Sequence, residues 1–275
     1  MSNDLYAVVG NPISHSKSPR IHSLFASQTG EAVEYTAIQA PIDDFERTVR
    51  QFFERGGKGL NVTVPFKEQA WKLAARRTAR AEKAGASNTL YFSEDGVLTA
   101  DNTDGQGLVQ DLTSNHGVTL NGARILILGA GGAVRGVIAP ILARGPAALT
   151  IANRTVSKAE ALVSLFADDA GNTEMAACGF EQPDQPFDVI INGTSASLQG
   201  DLPPVSANVI GENTVIYDMM YSLQTTTFNQ WALDHGASRA YDGLGMLVEQ
   251  AAESFRVWRG IAPETSPVID ELRND

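Results

Sequence analysis

Short unbroken apolar runs alternate along the chain with longer stretches in which apolar residues recur every three or four positions. The short runs predict strands, at residues 5–9, 33–38, 60–64, 125–128, 147–152, 187–191 and 215–217. A helical pattern over residues 45–53 separates the second strand from the third. Strands that alternate with helices are typical of α/β folds with mostly parallel sheets, so this is the fold class we predict.

A long amphipathic helix is predicted near the end of the chain. Its apolar stripe follows the i, i+3, i+4 spacing of one helix face and consists of Leu244, Leu247, Val248, Ala251, Phe255 and Trp258. We expect this stripe to pack against the first domain and return the chain to it. Gln250 lies off the stripe and can face a ligand. A short final helix is expected over residues 263–272.

The sequence ARILILGAGGAVRG at residues 123–136 indicates a nucleotide site. A buried strand runs into Gly129-Ala130-Gly131-Gly132, and a helical pattern begins near Ala133. This strand–glycine–helix order binds a dinucleotide pyrophosphate, because glycines admit the phosphates and the helix start offers free N–H groups. The spacing departs from strict GxGxxG, since the third glycine is displaced to Gly136, and a purely structural turn is the alternative.

The strand over residues 147–152 ends in Asn153-Arg154-Thr155, without the acidic residue that usually binds the ribose of NAD. Arg154 and Lys158 place two cations where a 2′-phosphate would lie. We therefore predict NADP rather than NAD. The loop over residues 191–201 is expected to pass close to the same cofactor.

Two serines follow the first strand, in SHSKSP at residues 14–19. Pro19 begins a helical pattern, which makes Ser18 a candidate helix cap. Ser16 has no such structural role in the pattern. Two hydroxyls at the mouth of a strand and a helix could hold a polyhydroxy acid.

Lys67 stands in NVTVPFKE, directly after the third strand. Pro65 stops the strand and suits the first position of a helix, so Lys67 is expected in the first helical turn. A lysine there is unfavourable to the helix dipole, although many such lysines are simply solvated. At the carboxyl edge of the sheet it could move a proton during catalysis.

Asp104 is the second catalytic candidate. It lies in DNTDGQGL, between a strand at 97–100 and a helix beginning near Gly105. A helix cap is the ordinary role of an aspartate there, but Asp101 could serve as the cap and leave Asp104 for chemistry beside Lys67. The sequence does not show whether these two side chains meet.

Composition excludes several classes of function. A formal charge of −11 argues against nucleic acid or an anionic membrane as a partner. The one cysteine, Cys178, excludes an internal disulfide. We see neither an apolar run long enough for a membrane span nor a signal peptide, and we expect a cytoplasmic enzyme without a metal site.

The motifs together give a resemblance that spans nearly the whole chain. SHSKSP, NVTVPFKE, SNTL, DNTDG, GAGGAVRG, NRT and GLGMLVEQAAESF resemble those of the bacterial biosynthetic shikimate dehydrogenases, in the same order. The resemblance implies reversible NADPH-dependent reduction of 3-dehydroshikimate to shikimate, and a monomer or homodimer. It also implies a substrate domain at 1–104, completed by 241–275, and a Rossmann domain at 105–240, with a cleft between them.

The resemblance further implies roles for single residues. Lys67 would be the acid/base, paired with Asp104. Substrate would be held by Ser16, Ser18, Thr63, Asn88, Asp104, Tyr221 and Gln250. Cofactor would be held by Gly129, Ala130, Gly131, Gly132, Ala133, Asn153, Arg154, Thr155, Lys158, Met219 and Gly243. Ala79 occupies a position that is commonly acidic in the family, so any cofactor contact made there is absent or replaced.

Three alternatives remain at this point. One is an NAD-dependent quinate/shikimate dehydrogenase. Another is a non-catalytic NADP-binding regulator of the same fold, which would need neither Lys67 nor Asp104. The third is another two-domain dehydrogenase, against which the paired serines and DNTDG argue.

Overall fold

The computed structural model describes residues 3–194, 196 and 200–274 of the 275-residue chain. The strands are β1 (Asp4–Gly10), β2 (Val33–Gln39), β3 (Gly57–Val62), β4 (Arg76–Arg77), β5 (Thr89–Phe92), β6 (Leu98–Asp101), β7 (Arg124–Leu128), β8 (Ala148–Ala152), β9 (Glu174–Cys178), β10 (Val189–Asn192), β11 (Val215–Asp218) and β12 (Arg239–Asp242). The helices are α1 (Ser18–Thr29), α2 (Phe45–Glu54), α3 (Lys67–Leu73), α4 (Ala79–Ala84), α5 (Asp104–Gln110), α6 (Gly132–Leu142), α7 (Val156–Leu165), α8 (Thr227–Asp234), α9 (Leu244–Arg259) and α10 (Ser266–Asn274). In the described part of the chain, no helix is both long and apolar enough to cross a membrane.

The chain forms two compact units. One comprises Met1–Gly107 and Val248–Asp275, and the other comprises Leu108–Leu247. Helix α9 belongs to both, because the boundary falls between Leu247 and Val248. Among the described residues, each unit contains one six-stranded sheet. The predicted α/β class is confirmed.

The sheet of the first unit has the order β2-β1-β3-β5-β6-β4. Strands β2, β1 and β3 are parallel, whereas β5 runs antiparallel to both β3 and β6. Because β5 runs in the opposite direction, the residue before it lies at the same sheet edge as the residues that follow β1, β3 and β6. Four connecting segments therefore meet at that edge.

The sheet of the second unit is fully parallel, with the order β12-β11-β10-β7-β8-β9. Strand β7 is central, as its apolar run predicts. Ile125 and Ile127 pack into one hydrophobic cluster, and Leu126 and Leu128 pack into another. Alternate residues of one strand therefore fill two cores, which is why the run contains no polar residue.

Several local predictions are wrong. Pro65 does not begin a helix: it lies in the turn in which the Phe66 N–H donates to the Thr63 carbonyl, and α3 begins at Lys67. Ser18 is not the cap of α1 but its first residue, after Lys17. Asp101 does not cap a helix, because its carboxylate pairs with Arg80.

Candidate active site

The central contact of the first unit joins the two proposed catalytic side chains. Lys67 Nζ lies 2.6 Å from Asp104 Oδ2, in an ion pair whose side chains are 31% and 13% exposed. Lys67 is the first residue of α3, after β3, and Asp104 is the first residue of α5, after β6. Strands β3 and β6 run in the same direction on either side of β5, so both side chains lie at one sheet edge, which the sequence could not show.

Asn88 ties this pair to α9. It precedes β5, and its Nδ2 donates to Asp104 Oδ1 at 2.9 Å and to Gln250 Oε1 at 3.0 Å. The structure therefore joins Lys67, Asp104, Asn88 and Gln250 in one chain of hydrogen bonds. A ring hydroxyl placed here would find a cation, a carboxylate and two amides.

The remaining residues proposed to hold substrate in the first unit follow strands β1 and β3. Ser16 and Ser18 follow β1, and the Ser18 N–H donates to Ser16 Oγ at 3.3 Å. Thr63 follows the neighbouring parallel strand β3, where its N–H donates to the Val9 carbonyl. A Cβ on Gly10 would stand 2.5 Å from Thr63 Cγ2, so glycine there allows the two strand ends to approach closely.

The start of α6 in the second unit fits a pyrophosphate. Gly131 caps the helix without a side-chain hydrogen bond, and Gly131, Gly132 and Ala133 are exposed. A Cβ on Gly131 or Gly132 would meet no atom within 4 Å, so there is open space beside the helix start, where the first-turn N–H groups have no partner within the helix. Gly129 has φ +108°, and a Cβ there would approach the Gly193 carbonyl oxygen to 3.2 Å. Ala130 is half-buried beside it.

The residues that follow β8 include two cationic side chains, Arg154 and Lys158, and no carboxylate lies among residues 153–158. Arg154, Thr155 and Lys158 are exposed, and Asn153 Nδ2 donates to the Thr155 carbonyl at 2.9 Å. Because β8 is the parallel neighbour of β7, these residues lie at the same sheet edge as the glycine loop. Such an edge fits a 2′-phosphorylated nucleotide.

Met219 and Gly243 are packed against each other. Met219 follows β11 and is 8% exposed, and a Cβ on Gly243 would lie 2.3 Å from the Met219 carbonyl oxygen. Tyr221, two residues further on, is 38% exposed and belongs to the second unit, unlike the paired serines. Partial burial raises the pKa of its phenol, which therefore stays a donor. In the loop at 191–201, residues 195 and 197–199 lie outside the described part.

Sequence reasoning missed the groups that support this site. Arg80 bridges Asp101 at 2.6 Å and Glu253 at 2.8 Å, and so links the segment before Asp104 to α9. The exposed Ala79 begins α4 beside it. Asn61 and Ser254 lie in a buried hydroxyl network behind Asn88. The only signal for Ser254 is its position one helical turn after Gln250.

The two units together define the chain as a two-domain α/β oxidoreductase with a Rossmann-type nucleotide unit. Three family models match it: the shikimate dehydrogenase substrate binding domain over residues 8–90, shikimate / quinate 5-dehydrogenase over 111–199, and the shikimate 5′-dehydrogenase C-terminal domain over 243–273. A shikimate dehydrogenase (NADP(+)) of Marinobacter nauticus is 70% identical over 100% of both chains. The chain belongs to the shikimate dehydrogenase family.

Solved structures agree with that assignment. An Ael1 enzyme from Pseudomonas putida has a TM-score of 0.93 at 47% identity, with 98% of each chain covered. Shikimate 5-dehydrogenase from Thermus thermophilus, solved with NADP(H) and shikimate, has a TM-score of 0.85 at 28% identity, with 98% of this chain and 99% of that chain covered.

Proposed function

We propose that the protein catalyses the reversible NADPH-dependent reduction of 3-dehydroshikimate to shikimate. The observation that carries this proposal is the ion pair between Lys67 and Asp104, hydrogen-bonded to Asn88 and Gln250 at one sheet edge. A non-catalytic regulator would need no such pair. Family membership supports the same reaction.

Substrate binding is assigned to the first unit, with Tyr221 contributed by the second, and NADP binding is assigned to the second unit. This follows the proposed division at 1–104 with 241–275, and 105–240. Ser16, Ser18 and Tyr221 are proposed to hold the carboxylate. Thr63, Asn88, Asp104 and Gln250 would hold the ring hydroxyls. The Asp104 carboxylate can only accept hydrogen bonds from ring hydroxyls, whereas the amides of Asn88 and Gln250 can also donate. This fixed pattern of donors and acceptors would orient the ring.

NADP supplies the hydride chemistry when it is bound. Its pyrophosphate would be held by the N–H groups of residues 129–133, and its 2′-phosphate by Asn153, Arg154, Thr155 and Lys158. Met219 and Gly243 would shape the position of the nicotinamide.

The protein's own chemical step is a proton transfer. In the reducing direction, the Lys67 ammonium group donates a proton to the substrate oxygen as the carbonyl becomes a hydroxyl. In the oxidising direction, the neutral amine takes that proton back, directly or through water. Asp104 holds the ammonium in place at 2.6 Å. The step needs no metal ion.

We also infer a cytoplasmic, monomeric or homodimeric enzyme without a nucleic-acid or membrane partner. The acidic net charge of −11 supports the last point.

One assay tests the proposal. NADPH formation is followed with the purified protein and shikimate as the only reductant, in parallel with NAD and with quinate. Shikimate with NADP should give the highest kcat/KM. A preference for quinate with NAD would favour the catabolic relative, and tight NADP binding without turnover would favour the regulator.

A further inference from the structure

Ser254 connects helix α9 to the strands behind the catalytic pair. Its hydroxyl lies 2.9 Å from Thr89 Oγ1 and 3.2 Å from Thr103 Oγ1, and it accepts from Asn61 Nδ2 at 2.9 Å. All four side chains are buried, and Ser254 is 0% exposed. We call Thr89, Thr103 and Ser254 the hydroxyl cluster.

The contacts limit where each proton of the hydroxyl cluster can go. The Thr89 hydroxyl donates to Asn88 Oδ1 at 2.9 Å, and the Thr103 hydroxyl donates to the Gln250 carbonyl at 2.9 Å. Each hydroxyl has a single proton. With both threonine protons engaged, Ser254 is the hydroxyl that can donate within the cluster, and its one proton has three acceptors in reach: Thr89 Oγ1, Thr103 Oγ1 and the Gln250 carbonyl at 3.1 Å.

The Thr89 hydroxyl of this cluster and the Thr103 N–H together hold the oxygen of the Asn88 amide. Asn88 Oδ1 accepts from the Thr89 hydroxyl and from the Thr103 N–H, both at 2.9 Å. The NH₂ group consequently faces Asp104 and Gln250. A flipped amide would place its oxygen against the Asp104 carboxylate and its NH₂ against the Thr103 N–H, two contacts between like groups.

Competition for the amide protons adds a second effect. Asn88 Nδ2 has two protons but three acceptors, because Thr103 Oγ1 also lies 2.7 Å away. When Ser254 directs its proton to Thr103 Oγ1 at 3.2 Å, that hydroxyl is supplied from the other side. The two amide protons are then available to Asp104 and Gln250, which are the groups proposed to meet the substrate.

We propose that Ser254 is a positioning residue for shikimate binding: through Thr89 and Thr103 it keeps the Asn88 amide turned toward Asp104 and Gln250. This inference rests on the proposed function. Ser254 does not touch the Lys67–Asp104 pair, and its contact with Gln250 is to the backbone carbonyl and not to the side chain that would meet the ring. Its effect is therefore assigned to Asn88.

Calorimetric titration with shikimate, without cofactor, tests the inference. Ser254→Ala should weaken shikimate binding by about tenfold, the value of one misdirected buried hydrogen bond. Steady-state assays should show the same rise in KM for shikimate, with KM for NADP within about twofold of wild type because only the first unit is altered. Ser238→Ala is the matched control: it removes a hydroxyl that donates to the Thr214 carbonyl at 3.0 Å in the second unit, and it should leave binding unchanged.

A double-mutant cycle separates positioning from a general structural effect. If Ser254 acts through Asn88, Ser254→Ala should change affinity by less than about twofold in an Asn88→Ala background. An equal loss in both backgrounds, or unchanged binding in Ser254→Ala alone, would overturn the inference while leaving the proposed function intact. Wild-type protein that neither binds nor oxidises shikimate would overturn the proposed function.

The threonine of β5 provides a second pair of variants if Ser254→Ala does not fold. Thr89→Val removes the hydroxyl but keeps the shape, and it should weaken shikimate binding about as much as Ser254→Ala. Thr89→Ser keeps the hydroxyl and should bind like wild type. Equal affinities of these two variants would contradict a role for the hydroxyl cluster.

Discussion

Replacing Lys67 by alanine removes the group proposed to move the proton and leaves most of the site in place. Asp104 keeps its hydrogen bond from Asn88 at 2.9 Å, and Asn88 keeps its contact with Gln250 at 3.0 Å. The proposed contacts to the ring hydroxyls therefore persist. KM for shikimate should change by less than about threefold, because ground-state binding is largely retained.

The loss should fall on turnover instead. A positioned general acid or base contributes about 10²- to 10⁴-fold, or about 3–5 kcal/mol of activation free energy. The ion pair with Asp104 is partly exposed, at 31% and 13%, so its removal should lower the free energy of unfolding by only about 1 kcal/mol. The expected change in activation free energy is thus several times larger than the expected change in free energy of unfolding, so a loss of turnover can be distinguished from a loss of stability.

The assay is kcat with saturating shikimate and NADP, together with urea unfolding of each variant. Lys67→Arg sharpens the test, because arginine keeps a cation beside Asp104 but does not release its proton at neutral pH. It should lose turnover as alanine does. Lys72→Ala, an exposed lysine on the same helix α3, is the control. Near-normal turnover in Lys67→Ala would remove the lysine from the mechanism.

Three further outcomes are expected. Arg154→Ala should raise KM for NADP by about tenfold or more and leave KM for NAD nearly unchanged; equal changes in assays with both cofactors would contradict a 2′-phosphate contact. Burial lowers the pKa of His22 from 6.5 to about 3, so the unfolded chain binds a proton that the folded protein does not, and stability falls as pH drops below the ordinary value. From about pH 7 to about pH 5, urea unfolding should show a loss that is about 2 kcal/mol smaller in His22→Phe than in wild type; parallel losses would refute this. Gly243→Ala should lower the free energy of unfolding by about 1–3 kcal/mol, because its methyl group would overlap the Met219 carbonyl; a thermal or urea transition like that of wild type would contradict the packing.

The buried strands could be predicted from sequence because short, unbroken apolar runs are typical of strands that are covered on both faces. Strand β7 is the clearest example, since both faces of Ile125–Leu128 are covered. Strands β9 and β12 gave no comparable signal. Each lies at an edge of its sheet, where one side has no neighbouring strand, and their residues Glu174–Cys178 and Arg239–Asp242 are largely half-buried or exposed.

The candidate site shows a similar limit. The residues Lys67 and Asp104 could be selected from their places after strands, but their 2.6 Å contact depends on β3 and β6 running in the same direction on either side of β5. No local pattern reports strand direction, which is set by how the whole sheet packs. Asp101 was misassigned for the same reason: its partners, Thr78 and Arg80, are more than 20 residues away.

The ion pair between Asp101 and Arg80 also affects how stability depends on pH. Burial alone would raise the pKa of this carboxyl, but hydrogen bonds from Arg80 and Thr78 and the charge of Arg80 outweigh it, so the pKa lies below its ordinary value. Stability from this group is therefore present above the ordinary carboxyl pKa and is lost as pH falls through the lower, folded value.

The interrupted layout of the first unit matters when the protein is synthesised. Residues Met1–Gly107 leave the ribosome early, but the residues of α9 that complete this unit leave it only near the end of synthesis. They include Gln250, Ser254 and Arg259, and Arg259 forms ion pairs with Asp4 and Glu31. The continuous stretch Leu108–Leu247 has all its strands before then. During translation the second unit can therefore fold first, whereas the first unit, which contains Lys67, can be completed only after α9 and α10 have been synthesised.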